Sequence, residues 1–330
     1  MTHLEQLILK LEPEYRARVW GGRRLHASEP PTGEAWIAYG PSRVAGGPLA
    51  GRTIDELVAE AGPELLGGAA AVRFGPRFPL LVKLLDCRDW LSVQVHPNDD
   101  QARRMVGPGE FGKTEAWYFL DADPGAAILA GVRPGVSRSE LSEAIRRGRI
   151  VDVADRVEVH AGEALLIPAG TLHALGPGLL LYEIQQASDT TYRAYDWDRP
   201  ASDGRSLHLA ECVEVTTTEP AHPRTSPVVD GGTGAARAVS SDYFDLDLVC
   251  VAAGSSLASD TRGLVFDILT VVDGEVEIRH GLEAVRLSRF ETALVAGATG
   301  EYEILARAAA ATLLRTAPPH RSFEQGGDGR

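Results

Sequence analysis

The chain has no run of eighteen apolar residues, which excludes a helix able to span a bilayer. Its first ten residues, Met1 to Lys10, alternate polar and apolar types. They lack the basic start, apolar stretch and small-residue cleavage site of a secretory leader, so the cytoplasm is the expected compartment. Cysteine is scarce: Cys87, Cys212 and Cys250 form an odd set with no CxxC spacing. A disulfide framework is excluded, and buried, reduced thiols are expected. Positive charge is also in deficit, with 33 Lys and Arg against 46 Asp and Glu and a formal net charge of −13. That argues against a nucleic-acid backbone as the main partner. It leaves room for a small anionic substrate at a local basic cluster.

What is present is enough apolar material for a large core: 44% of 330 residues. Residues 1–52 are rich in Gly, Pro and charge and predict loops and short strands. Thr53 and Glu56 form a capping box ahead of the apolar stripe Ile54, Leu57, Val58, Leu65 and Leu66, which predicts a helix over 53–66. From Pro79 the pattern turns to strands: Pro79–Leu85, Leu91–His96, Ala116–Leu120, Ala126–Val132, Val157–Pro168, Leu179–Gln185 and Leu207–Val215. A second helix interrupts them, capped by Ser137 with Glu140 and ended by Gly148. Residues 216–240 are rich in Thr, Pro, Gly and Ser and predict a linker. Further strand patterns follow at Asp245–Val251, Leu264–Val272, Glu275–Arg279, Glu283–Leu287 and Thr292–Val295. Asp273-Gly274 between two of them signals a tight hairpin. Many short strands with few helices predict an all-β-dominated chain with two barrels. The expected domains are 1–215, 241–318 with less polar chemistry, and a polar tail over 319–330.

Four segments concentrate the reactive residue types. In Leu91-Ser92-Val93-Gln94-Val95-His96, strand alternation puts Ser92, Gln94 and His96 on one face and Val93 and Val95 on the other. Such a polar face suits the inside of a ligand-holding barrel. Lys113 and Glu115 are likewise two residues apart. In Gly162 to His173 an apolar strand meets a Pro-x-Gly turn that re-aims the chain just before an imidazole. The fourth segment runs from Tyr182 and Glu183 to Arg193, with Tyr195, Asp196 and Arg199 beyond. Two histidines, a carboxylate and an amide oxygen make a reasonable zinc shell. The same set also suits Fe(II). Glu183 stands in an otherwise apolar strand, where a buried carboxylate is costly unless paired or near a metal. Trp20 before Gly21-Gly22 reads equally as a hydrophobic plug or a sugar-stacking wall. Arg193 reads as a surface charge or a site residue. Of the remaining histidines, expected at the surface or in structural roles, His208 is the hardest to place.

The run Gly-x5-Pro-x-Gly-x2-His from Gly162 to His173 resembles the second cupin motif. Ser-Val-Gln-Val-His-Pro-Asn, Lys-Thr-Glu and Ser-Asp-Thr-Thr-Tyr-Arg together resemble the type I phosphomannose isomerases in their short bacterial form. The resemblance runs from about Trp20 to Val215 and more weakly to the end. It implies two cupin (jelly-roll) β-barrels with a few peripheral helices, the second metal-free. It implies one Zn2+ per chain bound by Gln94, His96, Glu115 and His173. It implies that Arg193 lies over the sugar chain and aids proton transfer, with Lys113 and Glu183 lining the same pocket. Trp20 and Ser92 match substrate-pocket positions, and Arg199 stands where fungal members carry a phosphate-proximal Lys. Two features depart from the family pattern: Ala174 and Leu175 follow His173 where an aromatic residue is frequent, and only Ser137–Gly148 replaces the long helical insertion of larger members. The implied activity is interconversion of mannose 6-phosphate and fructose 6-phosphate by enediolate proton transfer. The expected partner is a hexose 6-phosphate, with no nucleic acid and no membrane, in a monomer or homodimer. The competing readings are a non-catalytic sugar-phosphate-binding cupin and an Fe(II) cupin dioxygenase.

Overall fold

The computed structural model describes residues 4–200 and 205–319. The expected polar tail lies outside them, Pro319 apart. No described helix is long and apolar enough to cross a membrane. The chain is dominated by strands and divides into two compact units. One is built from the described parts of Met1–Glu14, Trp36–Lys83 and Ser226–Arg330, the other from Tyr15–Ala35 and Leu84–Thr225.

The second of these carries the reactive segments. Its larger sheet has the order β2 (Glu14–Gly22), β3 (Thr32–Ala38), β4 (Leu80–Cys87), β11 (Leu179–Gln186), β6 (Glu115–Ala122), β9 (Ala164–Ile167), and the division between the units falls within β2, β3 and β4. The smaller has the order β12 (Tyr192–Tyr195), β5 (Val93–Val95), β10 (His173–Leu175), β7 (Ala127–Val132), β8 (Ala154–Glu158). Leu85, Trp117, Phe119 and Leu181 of the first sheet pack against Ile128, Ala130 and Leu175 of the second, so the space between the sheets is the core. The other face of the smaller sheet presents Val93, Val95 and Ala174 to helices α4 (Arg138–Arg146) and α5 (Leu209–Val215). Val93 and Val95 thus point away from Gln94, as strand alternation predicts. A short helix, α3 (Asp99–Met105), is capped by Asn98 with Gln101 and carries Asp99 and Asp100 in its first turn. The Asn-x-x-Gln pattern is its signal in the sequence.

In the other unit, one sheet has the order β1 (Ile8–Leu11), β19 (Thr292–Val295), β16 (Asp267–Asp273), β21 (Ala311–Ala317), β14 (Asp245–Val251), β13 (Gly234–Ser240). The second has the order β15 (Ser255–Asp260), β20 (Glu301–Ala306), β17 (Glu275–His280), β18 (Glu283–Ser288). Val249, Val271, Leu313 and Ile304 belong to its core. Helix α1 (Ile54–Leu66) begins at the expected Thr53–Glu56 capping box, and α2 (Gly68–Phe74) follows it. The box at Ser137 and Glu140 is formed as well, and Gly148 takes a φ of 66° just beyond the end of α4.

Three local expectations are corrected. Leu207–Val215 is not a strand; Leu209–Val215 is helical, and Cys212 and Val215 pack with Leu141 and Ile145 of α4. The three-residue spacing of that apolar pair wins over the alternation. Asp273-Gly274 does not close a hairpin, because β16 and β17 lie in different sheets. The turn is a corner between them, and the hairpin is β17–β18, where His280 opposes Glu283. Val157–Pro168 is two strands, β8 and β9, with a turn between.

Candidate metal centre and active site

Register sets the first contacts. His173 on β10 stands opposite both Gln94 on β5 and Ala130 on β7. Residues paired in register share a face, so both polar side chains enter the core between the sheets. On the facing sheet, Glu115 stands opposite Gln185 and Ile167. His96 follows β5 by one residue and returns to the same side. His96, Glu115 and His173 therefore meet, their nitrogen and oxygen ligand atoms all within 4.8 Å of one another.

Each imidazole is held by a backbone carbonyl. Nδ1 of His173 lies 2.9 Å from the carbonyl oxygen of Thr171, and Nδ1 of His96 lies 2.9 Å from that of Thr190. A carbonyl only accepts, so Nδ1 carries the proton in both rings and Nε2 keeps its lone pair. Nε2 of His173 is 3.2 Å from Glu115 Oε1, and Nε2 of His96 is 3.4 Å from Oε2. Lys113 Nζ lies 3.1 Å from His96 Nε2 and 3.2 Å from Glu115 Oε2. The Gln94 amide nitrogen is 3.2 Å from His173 Nε2.

All of these except Gln94 are buried, Glu115 completely. Burial alone would raise the Glu115 carboxyl, but the Lys113 ammonium beside it holds it well below the usual carboxylate range. Burial, then Lys113, pushes His96 well below the ordinary imidazole value, which keeps it neutral and able to donate a lone pair. Both Glu115 oxygens are buried without a hydrogen bond among the described residues. A buried carboxylate left so is costly unless something else neutralises it. Two aimed Nε2 lone pairs and an orphaned carboxylate are a donor set that could hold a divalent metal.

The remaining expected site residues fall in different places. Arg193 stands opposite Gln94 on β12, half-buried, with its Nε lacking a hydrogen-bond partner among the described residues. Its backbone is clasped by His208, whose N–H donates to the Arg193 carbonyl while its Nδ1 accepts from the Arg193 N–H. Glu183 is buried on β11, opposite Trp117, and accepts from the Trp117 indole N–H at 3.0 Å. That indole also meets His173 in a T-shaped contact, ring centroids 5.4 Å apart. Ser92 is buried just before β5. Trp20 is packed into the apolar core with Leu85, Leu91 and Trp117. Arg199 donates to Asp196, to Asp89 and to the Trp90 carbonyl. A phosphate arriving there would meet two carboxylates, so the structure gives no support to Arg199 as its anchor. His208 and Trp117 are the contributors that residue type alone does not reveal. Each acts through a contact with another element: His208, at the start of α5, on the Arg193 backbone of β12, and Trp117 of β6 on Glu183 of β11.

Fold and site together define a cupin-type barrel protein with a two-histidine, one-carboxylate pocket suited to a divalent metal. The model of the phosphomannose isomerase type I catalytic domain matches residues 8–121. A mannose-6-phosphate isomerase of Streptococcus mutans is 36% identical over 294 residues, 85% of this chain and 90% of that one. A probable mannose-6-phosphate isomerase of Bacillus subtilis, GmuF, is 40% identical over 260 residues, 74% of this chain and 79% of its own. The crystal structure of a Bacillus subtilis mannose 6-phosphate isomerase superposes with a TM-score of 0.82 at 32% identity, covering 94% of this chain and 99% of that one. The chain belongs to the type I phosphomannose isomerase family.

Proposed function

We propose that this member of the family interconverts mannose 6-phosphate and fructose 6-phosphate, with one Zn2+ held by Gln94, His96, Glu115 and His173. The observation that carries the reading is the pair of orphaned Glu115 oxygens facing two aimed imidazole nitrogens, with Lys113 beside them and Arg193 on the strand next to Gln94. Gln94 would present its carbonyl oxygen as the fourth ligand. An ion held there would supply Lewis-acid charge to the open-chain sugar. No redox change is needed, which favours zinc over Fe(II).

The chain's own groups supply the rest. Glu183 is the proposed base: it takes the proton from C2 of the aldose and returns it to C1, while the hydroxyl proton on O2 passes to O1. Trp117 fixes that carboxylate, so its orientation is set before substrate arrives. Lys113 and Arg193 stabilise the negative charge of the enediolate between the two transfers. Pre-set cations in a site closed to water act more strongly than the same charges in solution.

The test is turnover of mannose 6-phosphate to fructose 6-phosphate before and after chelation and zinc restoration. Activity should vanish with the chelator and return with zinc. Arg193→Ala should lower turnover by at least ~10²-fold while zinc content stays unchanged. Sugar-phosphate binding without turnover in zinc-loaded protein would leave only the non-catalytic cupin, and oxygen consumption would point to the dioxygenase.

A further inference from the structure

The unit that lacks the histidine site has a polar mouth of its own. On β14 the inward positions run Val251, Val249, then Asp247 and Asp245; on β21 they run Ala311, Leu313, then Arg315 and Ala317, in register with them. Tyr302 precedes Ile304 and Ala306 on β20, and Asp267 precedes Leu269 and Val271 on β16. One face of each strand thus changes from core to polar at the same end. Asp245, Asp247, Asp267 and Tyr302 are 5, 7, 3 and 3% exposed. They are knitted together. Tyr302 donates to Asp267 at 2.7 Å, and Arg315 donates to Asp247 at 2.9 Å and to Ser259 at 2.8 Å. Arg237 pairs with both Asp245 and Asp247.

These groups line a cavity of about 1020 Å3. A buried ion-pair network adds little stability over apolar packing, so folding gives no strong reason to keep one on an open cavity wall. Six carboxylates and four arginines line it among the described residues. That surplus of negative charge disfavours a phosphate, and Arg315 and Arg237 in the same wall disfavour a bare cation. A hydroxyl group donates one hydrogen bond and accepts two, so it can satisfy carboxylate and guanidinium side by side.

We propose that this cavity binds a neutral polyhydroxylated ligand, a mono- or disaccharide, at a site distinct from the histidine pocket and independent of the isomerase reading. The cavity is at the upper end of the usual size for small-molecule sites, large enough for two sugar rings.

The test is calorimetric titration of the zinc-loaded full chain with D-mannose, maltose and mannose 6-phosphate. At least one neutral sugar should bind saturably at millimolar concentration and should not be displaced by mannose 6-phosphate. Tyr302→Phe should weaken it about tenfold through loss of one hydroxyl contact. Ala317→Phe, which places a ring against the Asp245 and Arg315 end of the cavity, should weaken it as well. Isomerase turnover should be unchanged in both variants. Absence of saturable binding by both neutral sugars would overturn the proposal. So would binding that mannose 6-phosphate displaces, or binding that both folded variants retain.

Discussion

At the scale of single residues, the site is organised by groups that do not themselves react. The Thr171 and Thr190 carbonyls fix which imidazole nitrogen carries a proton. No side-chain motif encodes that, because a carbonyl is common to every residue. Lys113 and Glu115 were legible from their spacing. Their mutual dependence is a consequence of burial, with Lys113 4% exposed and Glu115 fully covered. Glu115→Gln should empty the site of metal and should also leave the Lys113 ammonium without its counter-charge. The chelated variant is expected to be about 3–5 kcal/mol less stable than chelated wild type, the usual result of breaking one side of a buried pair. Metal content and urea midpoints measured on the same preparations check both parts. Retained metal would remove Glu115 from the ligand set. The two buried cysteines are kept as thiols by the same physics: burial lifts the Cys212 thiol to about 12 and the Cys87 thiol well above its ordinary value.

At the scale of elements, caps were the most readable feature. A capping box is local, so Thr53–Glu56 and Ser137–Glu140 act the same way in the fold as in the isolated sequence. Strand pairing is not local, and there the reading went astray. Asp-Gly is a turn signal whether or not the flanking strands pair, and β16 and β17 do not. What the corner demands of Gly274 is nevertheless strict. Its φ is 76°, and a Cβ would sit 2.6 Å from the Ala310 carbonyl oxygen. Gly274→Ala should therefore cost more than about 1 kcal/mol. Denaturant unfolding should show a lower midpoint with an unchanged slope. An unchanged midpoint would mean that the corner relaxes without loss.

At the scale of the whole molecule, the overall charge of −13 says little about where charge acts. Glu277 on β17 accepts from Arg307, Arg286 and Arg279, which lie on or beside its own sheet. The Arg307 and Arg286 hydrogen bonds, with Arg279 beside them, lower its carboxyl to about 2. An unfolded Glu titrates near 4.3. The folded value is the lower one, so the stabilisation is full above the unfolded value and fades as pH falls through the folded one. Wild type should exceed Glu277→Gln in stability by a constant margin above about pH 5. The margin should shrink below that and be gone under about pH 2. A pH series of urea midpoints measures it, and a margin that persists at the acid end would assign the effect to packing instead of charge.

The sequence by itself determined the strand-dominated class, the capped helices and the reactive residue types, because each depends on neighbours a few positions apart. It also carried the resemblance that named the family. Only the tertiary structure decided which of those residues meet. His96 and Glu115 are nineteen positions apart with α3 between them, and His173 is far from both; the β10–β5 pairing brings His173 to His96, and the facing sheet brings Glu115 to the pair. It decided that Arg199 belongs to Asp89 and Asp196, since nothing in a sequence reveals which carboxylate an arginine will reach. It decided, too, that each compact unit is assembled from separate stretches of chain. Local patterns fix what a residue can do, and long-range register fixes what it does it to.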